Sequence, residues 1–268
     1  MSASHKGTAL VTGASGGIGA IYADRLARRG YDLILVARNK ARLEEVATRI
    51  AGATGRVVRS VPADLNDRAD LKRVETIVET DSAITMLVNN AGVGALEPLL
   101  QSDIDAMEKM IDLNVLALTR LTYAAAPRFV ARGGGTIINI GSVVAVVPEI
   151  LNGVYGGSKA FVLALSQSLH KELAGKNVRV QVVLPGATAT NIWDAAGGSI
   201  DNLPREIVMR SDDMVDAALA GLDQGELVTI PSLPEAKDWS SFESARQKLI
   251  PNLSLSSVAA RYRTAAAA

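Results

Sequence analysis

The chain has 268 residues, of which 48% are apolar, so it can bury the core of a large α/β domain. Its 28 basic and 28 acidic residues cancel, which gives no reason to expect a nucleic-acid or membrane-surface partner. The lack of cysteine excludes disulfides, thiolate catalysis and zinc-cysteine sites, and fits a cytoplasmic location. No apolar run approaches the ~20 residues that a membrane helix needs.

Apolar segments of strand length alternate with helix-like segments through most of the chain. The strands lack polar–apolar alternation, which indicates burial on both faces. Alternating strands and helices imply right-handed crossovers and a parallel sheet of about seven strands with helices on both faces. In chain order, the predicted strands are Thr8–Thr12, Asp32–Ala37, Val57–Val61, Thr85–Asn89, Thr136–Ile140, Arg179–Leu184 and Leu227–Ile230, and the predicted helices are Gly17–Arg29, Lys40–Ile50, Asp67–Glu79, Ser102–Tyr123 and Val154–Ala174.

The C-terminal part of the chain departs from this rhythm in two places. Residues 187–211 combine glycine, proline and mixed polarity, and an irregular segment of that length inside a compact domain is usually functional. Beyond Pro231 the chain is punctuated by proline, with one predicted helix near Trp239–Leu249. We therefore assign residues 1–231, with the loop 187–211, to one domain and residues 232–268 to a C-terminal extension and tail.

A glycine-rich turn joins the first strand to the first helix. Glycine permits a tight turn and lets the backbone approach phosphate oxygens closely. The free N–H groups and partial positive charge of a helix N-terminus then favour a bound anion. Such a turn is typical of a Rossmann-type doubly wound fold that binds a dinucleotide pyrophosphate. The residues predicted to line it are Gly13, Ser15, Gly17, Ile18 and Gly19.

Three later residues have the chemistry to move a proton to or from a carbonyl oxygen. Tyr155 and Lys159 are four residues apart and share one face of a predicted helix. Tyrosine has an ordinary pKa of ~10, and a neighbouring ammonium favours the phenolate, so we expect Lys159 to lower the pKa of Tyr155. The Ser142 hydroxyl can hydrogen-bond the substrate oxygen and stabilise the charge that develops there.

Together these motifs resemble those of the short-chain dehydrogenase/reductase family in its classical form. The glycine turn Thr12-Gly13-x-x-x-Gly17-x-Gly19 is followed, in the family's order, by Asn89-Asn90-Ala91-Gly92, Asn114, Ser142, Tyr155, Lys159 and Pro185-Gly186. Because Gly16 is also glycine, the turn equally fits the extended-type relatives, which include epimerases and dehydratases. The Asn-Asn-Ala-Gly motif and the lack of a large C-terminal substrate domain favour the classical type.

The resemblance implies roles for individual residues. Ser142, Tyr155 and Lys159 would be catalytic, with Lys159 also on the nicotinamide ribose and Asn114 supporting a water relay to Lys159. Asparagine has poor propensity mid-helix, which suits a local irregularity at Asn114, although solvent exposure explains it too. The further positions expected at the cofactor are Asp64, Leu65, Asn90, Ala91, Gly92, Pro185, Gly186, Thr188 and Thr190.

The end of the second strand bears on the choice of dinucleotide. An NAD-binding fold usually carries an acid there for the ribose 2′-hydroxyl, whereas this chain has Ala37 and then Arg38. A guanidinium can bind a 2′-phosphate through two hydrogen bonds, so we expect NADP(H), with NAD(H) as the alternative. Asp64 either contacts adenine or is the N-cap of the next helix.

The sequence thus predicts an NADP(H)-dependent oxidoreductase that transfers a hydride between nicotinamide and a carbonyl or secondary alcohol, in the direction of ketone or aldehyde reduction. Its small, largely apolar substrate would lie under the loop 191–211, with Ile192, Trp193 and Leu203 as candidate lining. The alternatives are an epimerase or dehydratase on the same scaffold and a non-enzymatic NADP(H) sensor.

Two expectations concern partners and metals. The resemblance implies a homo-oligomer, a dimer or a tetramer, formed through the two long helices Ser102–Tyr123 and Val154–Ala174. We expect no metal site, because neither His5 nor His170 has a companion ligand at suitable spacing.

Overall fold

A seven-stranded parallel sheet forms the centre of the computed structural model, which describes residues 5–190, 193 and 198–263. The strands are β1 (Thr8–Thr12), β2 (Asp32–Ala37), β3 (Val58–Pro62), β4 (Ile84–Asn89), β5 (Gly135–Ile140), β6 (Val178–Val183) and β7 (Val228–Thr229). Across the sheet they are ordered β3-β2-β1-β4-β5-β6-β7, and each neighbouring pair is parallel. The chain order reverses between β1 and β4, as in a Rossmann-type doubly wound fold, which confirms the predicted fold class.

Helices follow the strands in alternation. They are α1 (Gly17–Arg28), α2 (Lys40–Thr54), α3 (Arg68–Thr80), α4 (Ile104–Ile111), α5 (Leu118–Ala131), α6 (Gly153–Glu172), α7 (Ser211–Gln224) and α8 (Ala236–Gln247). The chain divides into two compact units, Met1–Pro231 and Ser232–Ala268, and α8 belongs to the second. In the described part of the chain, no helix has both the length and the apolar character needed to cross a membrane.

Both faces of the sheet are buried. Successive residues of a strand point to opposite faces. Ala9 and Val11 of β1 therefore pack in one core with Leu26 of α1, whereas Leu10 packs in a second core with Leu121 and other residues of the opposite helical layer. Double burial explains why the strands read as continuous apolar runs without polar alternation.

The predicted long helix Ser102–Tyr123 is wrong as a single α-helix. It is divided into α4 and α5 by a π-helical segment, Asp112–Ala117, and α5 continues to Ala131. Inside the π segment, the Asn114 side chain bonds to the backbone of Val93 on a neighbouring loop. An extra residue per turn is common where a helix must aim a side chain at a functional site.

Candidate active site

The candidate residues meet at the carboxyl ends of the central strands. The glycine turn begins directly after Thr12 of β1, the segment Asn90 to Gly92 follows β4, and Ser142 lies two residues beyond the end of β5. In a parallel sheet these ends share one edge, and ligands bind in the crevice where the chain order reverses. The topology therefore brings together the glycine turn and the Ser142 segment, which are far apart in sequence.

The glycine turn has the backbone of an anion-binding loop. Gly13 and Gly17 have φ angles of +67° and +50°, in the left-handed region that favours glycine. The N-cap of α1, Gly16, makes no side-chain cap hydrogen bond, and the first turn of α1 contains no acidic residue. The first N–H groups of the helix are therefore available to an anion, which fits a dinucleotide pyrophosphate.

A buried polar network fastens this turn to the end of β4. The Thr12 hydroxyl accepts hydrogen bonds from the backbone N–H groups of Asn90 and Ala91, both at 3.0 Å. The Asn90 side chain donates in return to the carbonyl oxygens of Thr12 (2.8 Å) and Gly13 (3.3 Å). The Asn90 amide thus holds the glycine turn in place, a contact that the sequence did not indicate.

The segment after β4 also reaches the catalytic candidates. A Cβ atom added to Gly92 would lie 3.0 Å from the Asn114 Oδ1 and 3.5 Å from the Lys159 Nζ. Only a glycine leaves this space free between the backbone and the lysine ammonium. Gly92 therefore connects the glycine-turn side of the site to the Lys159 side.

Of the residues expected near the adenosine of the cofactor, Arg38 is exposed, whereas Leu65 is buried in the core. Arg38 follows β2 directly and its side chain is exposed, with no carboxylate between Ala37 and α2. Asp67 is the N-cap of α3, so the capping alternative for Asp64 is wrong; the Asp64 carboxylate instead accepts a hydrogen bond from the Asn66 N–H at 3.0 Å. The Leu65 side chain is buried in the apolar core, which leaves only its backbone for a ligand.

Ser142, Tyr155 and Lys159 converge beside the end of β5. The Ser142 side chain is buried, accepts a hydrogen bond from the Val144 N–H at 3.3 Å and donates to the Pro185 carbonyl oxygen at 3.5 Å; its hydroxyl lies near enough to the Tyr155 phenol to lower the pKa of that group. The Lys159 Nζ lies 5.9 Å from the centroid of the Tyr155 ring and donates to the Ile140 carbonyl oxygen at 3.0 Å. A phenol, a hydroxyl and an ammonium thus share one site.

Burial dominates the ionisation of these groups. Burial raises the pKa of Tyr155 above its ordinary value, and the neighbouring Ser142 hydroxyl only partly offsets this rise. Burial also lowers the pKa of Lys159, from 10.5 to about 8. The direction for Tyr155 is opposite to the lowering expected from the sequence, because the cost of desolvating a phenolate exceeds the stabilisation that its polar neighbours give.

The free energy of unfolding of the protein without cofactor should depend on pH because Lys159 is buried. Below pH 8 the Lys159 ammonium is charged in both the folded and the unfolded protein, so the cost of burying the charge fully lowers the stability. Between pH 8 and 10.5 the folded protein loses this proton while the unfolded protein keeps it, so the free energy of unfolding rises with pH. Relative to Lys159→Met, the wild type should gain on the order of 3 kcal/mol across this window. Urea unfolding of both proteins from pH 7 to pH 10.5 measures the difference, and a constant difference would contradict the assignment.

Asn114 is buried at the centre of a second network. Its Oδ1 accepts from the Val93 N–H, and its Nδ2 donates to the Val93 carbonyl oxygen, both at 2.9 Å. The Nδ2 also donates to the Ser158 hydroxyl at 3.2 Å, which donates in turn to the Tyr155 carbonyl oxygen at 2.8 Å. The solvent-exposure alternative for Asn114 is therefore wrong, and the expected helical irregularity is present as the π segment.

The segment after β6 borders the same crevice. The Pro185 carbonyl oxygen accepts the Val143 N–H at 3.0 Å, and the Thr188 hydroxyl donates to the Gly186 carbonyl oxygen at 3.1 Å. A Cβ atom on Gly17 would lie 3.4 Å from the Thr190 Cγ2, which places Thr190 at the glycine turn. Trp193 donates its indole N–H to the Thr188 carbonyl oxygen at 2.9 Å.

The expected substrate loop is described only in part. Ile192 lies outside the described residues, as do residues 191 and 194–197, whereas Leu203 is half-buried. In the segment after Ser142, Val147 and Ile150 are exposed apolar side chains. Such side chains suit an apolar ligand, but each is also an ordinary surface residue.

The histidines have separate surroundings. His5 is paired with the Asp32 carboxylate at 3.0 Å, and His170 is exposed on α6. Within the described ranges, no group of three or more histidine, aspartate or glutamate residues is placed to hold a metal ion.

Sequence comparison decides the family. The family model described as "short chain dehydrogenase" matches residues 7–198, which is well over half of the chain and includes the glycine turn, Ser142, Tyr155 and Lys159. The chain belongs to the short-chain dehydrogenase family. This short-chain dehydrogenase is therefore an oxidoreductase built on a Rossmann-type fold.

Solved structures and curated relatives resemble this short-chain dehydrogenase over different lengths. A short-chain dehydrogenase from Sphingobium yanoikuyae in complex with NADPH is 49% identical, with a TM-score of 0.92, and the match covers 96% of this chain and 100% of the other. A bulky-bulky ketone specific alcohol dehydrogenase from Comamonas testosteroni is 44% identical, with a TM-score of 0.89 and coverages of 97% and 99%. A very-long-chain 3-oxoacyl-CoA reductase from Anas platyrhynchos is 34% identical over 76% of this chain, but only 66% of its own length is matched.

Three polar residues of the dehydrogenase site were given no role from the sequence, although Thr12 is the first residue of the glycine motif. Thr12 and Ser158 act through buried hydrogen bonds that no local pattern announces. Asn152 is the N-cap of α6 and accepts hydrogen bonds from the N–H groups of Val154 and Tyr155. An asparagine directly before a predicted helix is a recognised start signal, so Asn152 could have been found.

Proposed function

We propose that this short-chain dehydrogenase reduces a largely apolar ketone or aldehyde to the alcohol with NADPH. The observation that supports this most strongly is the convergence of Ser142, Tyr155 and buried Lys159 at the strand edge that also carries the glycine turn, with the Lys159 Nζ 5.9 Å from the centroid of the Tyr155 ring. A phenol and a hydroxyl that lie together can both donate to the same carbonyl oxygen of a substrate.

The cofactor assignment is supported by the local chemistry. The left-handed glycines and the uncapped start of α1 would hold the pyrophosphate, and exposed Arg38 would bind the 2′-phosphate with no competing acid beside it. The related Sphingobium yanoikuyae structure contains NADPH. When bound, NADPH supplies the hydride that the carbonyl carbon accepts.

The side chains of the protein then manage the proton. Because burial raises the pKa of Tyr155, the phenol carries its proton at neutral pH and can donate it to the carbonyl oxygen. Ser142 donates a hydrogen bond to that oxygen as negative charge develops. The Lys159 ammonium, held by the Ile140 carbonyl oxygen, stabilises the phenolate that remains. The raised pKa keeps the phenol protonated, which is the state that reduction requires, and the Lys159 ammonium offsets part of the cost of forming the phenolate.

The substrate class rests on the surroundings of this oxygen site. The segment after Ser142 presents Val147 and Ile150, and the related Comamonas testosteroni enzyme is described as specific for bulky-bulky ketones. We infer that the substrate is a ketone with two sizeable apolar substituents.

A cofactor-oxidation assay tests this function. Loss of NADPH absorbance is followed with aldehydes, with methyl ketones, and with ketones that carry two aryl or long alkyl groups, and is repeated with NADH. We expect turnover with the bulky ketones and a preference for NADPH of about tenfold or more. Conversion of a substrate without net NADPH loss would indicate an epimerase or dehydratase. NADPH binding without turnover across the whole panel would indicate a sensor.

A further inference from the structure

Tyr155 lies in the first turn of α6, where the backbone N–H groups have no hydrogen-bond partner within the helix. The first N–H groups of a helix have no partner within it and depend on a cap. Here the first five residues include Gly153, Gly156 and Gly157, and glycine costs about 1 kcal/mol relative to alanine inside a helix. Lys159 is one turn further in. The start of α6 therefore depends on its cap more than an average helix does.

That cap is Asn152, whose side chain is buried. Its Oδ1 accepts from the N–H groups of Val154 (2.9 Å) and of Tyr155 itself (3.3 Å). Its Nδ2 donates to the Glu97 carbonyl oxygen at 2.6 Å. The amide oxygen of Asn152 thus binds the helix that carries the Tyr155 phenol. Its amide nitrogen binds the loop that follows Asn90–Gly92.

The loop that Asn152 holds belongs to the same buried cluster as the tyrosine. Ala95, Met107 and Met110 form a small buried cluster, and Val93 and Tyr155 pack against it. Asn114 fixes the same loop at Val93, two residues before Ala95, and Asn152 fixes it at Glu97, two residues after. Two buried asparagines, Asn114 and Asn152, thereby fix the loop whose Ala95 belongs to the cluster against which Tyr155 packs.

We propose that Asn152 is a positioning residue for Tyr155, acting through the first turn of α6 and through the loop that contacts the phenol. The proposal rests on the proposed function, because it takes Tyr155 as the proton donor. Loss of Asn152 should misplace the phenol but leave the glycine turn, and hence NADPH binding, unchanged.

The test compares four variants in the full chain, with kcat, the NADPH dissociation constant from fluorescence titration and the unfolding midpoint as readouts. Asn152→Ala removes the cap and the loop contact. Asn152→Ala combined with Gly157→Ala restores helix propensity at an exposed position where a Cβ atom meets nothing within 4 Å. Asp67→Ala is the matched control, since Asp67 caps α3, away from this cluster, by accepting a hydrogen bond from the Asp70 N–H at 2.9 Å. Tyr155→Phe reports on the proposed function.

We expect Asn152→Ala to lower kcat about tenfold, with NADPH affinity within about twofold of the wild type. The added Gly157→Ala should recover about threefold of that loss, since it strengthens the same turn. Asp67→Ala should lower the unfolding midpoint without changing kcat. If Asn152→Ala alone does not fold, the double variant carries the test, with a kcat still below that of the wild type.

Two outcomes would overturn the proposal. One is an Asn152→Ala enzyme with the kcat of the wild type while Tyr155→Phe is inactive. The other is a loss of kcat that Gly157→Ala does not relieve and that Asp67→Ala reproduces, which would make the effect one of general stability. Full activity in Tyr155→Phe would instead contradict the proposed function and would be seen independently of Asn152.

Discussion

Replacing Tyr155 with phenylalanine should lower kcat about a thousandfold, because the proton that the carbonyl oxygen must receive is then missing. The ring and its packing against the cluster of Ala95, Met107 and Met110 remain, so the substitution removes one oxygen atom and little packing. NADPH affinity should change little, since the pyrophosphate is held at the glycine turn. Steady-state NADPH oxidation and fluorescence titration measure the two quantities.

Tyr123 provides the matched control. It lies on α5 with 67% of its surface exposed, so Tyr123→Phe makes the same chemical change away from the site. That variant should keep the activity of the wild type. A Tyr155→Phe enzyme that retained more than about a tenth of the wild-type kcat would show that another group supplies the proton.

Replacing Gly19 with alanine should weaken NADPH binding by about a hundredfold or more. A Cβ atom at Gly19 would lie 2.5 Å from the Asn90 Nδ2 and closer still to the Gly13 carbonyl oxygen. The first contact is with the side chain that fastens the glycine turn, and the second is with rigid backbone, so the turn itself must open. Calorimetric titration with NADPH, supported by an unfolding curve, measures the effect.

Gly16→Ala is the control within the same turn. Its φ angle is 176°, an extended conformation that any residue adopts, and a Cβ atom there meets nothing within 4 Å. Its NADPH affinity should stay within about threefold of the wild type. Equal losses in the two variants would mean that the turn tolerates no side chain at all, and would contradict a specific clash at Gly19.

The sheet was readable from the sequence because its strands are buried on both faces. Thr8–Thr12 and Asp32–Ala37 have the predicted bounds, and the other strands differ by one or two residues at their ends. The convergence of Ser142, Tyr155 and Lys159 could also be predicted from the sequence, because parallel strands place their carboxyl ends at one edge. Local sequence patterns were sufficient to predict the strands and the position of the site, because these depend only on burial and on the parallel topology.

What the sequence did not show depends on contacts between distant segments. The break in the predicted helix Ser102–Tyr123 follows from the contact of Asn114 with the Val93 backbone, across 21 residues of chain. The raised pKa of Tyr155 depends on how completely the folded chain buries the phenol, whereas the spacing to Lys159 indicates only that the two share a helical face. Tertiary burial here outweighs the effect of the neighbouring charge.

Isotope transfer bears most directly on the central claim, that a carbonyl carbon receives hydride from the nicotinamide ring. The wild-type enzyme is given NADPH with deuterium at both C4 positions and a bulky ketone that it reduces, and the product is examined by mass spectrometry and NMR. We predict a carbinol with deuterium on the former carbonyl carbon and NADP+ in equal amount. A product without deuterium, or a substrate converted while NADPH stays intact, would contradict the claim.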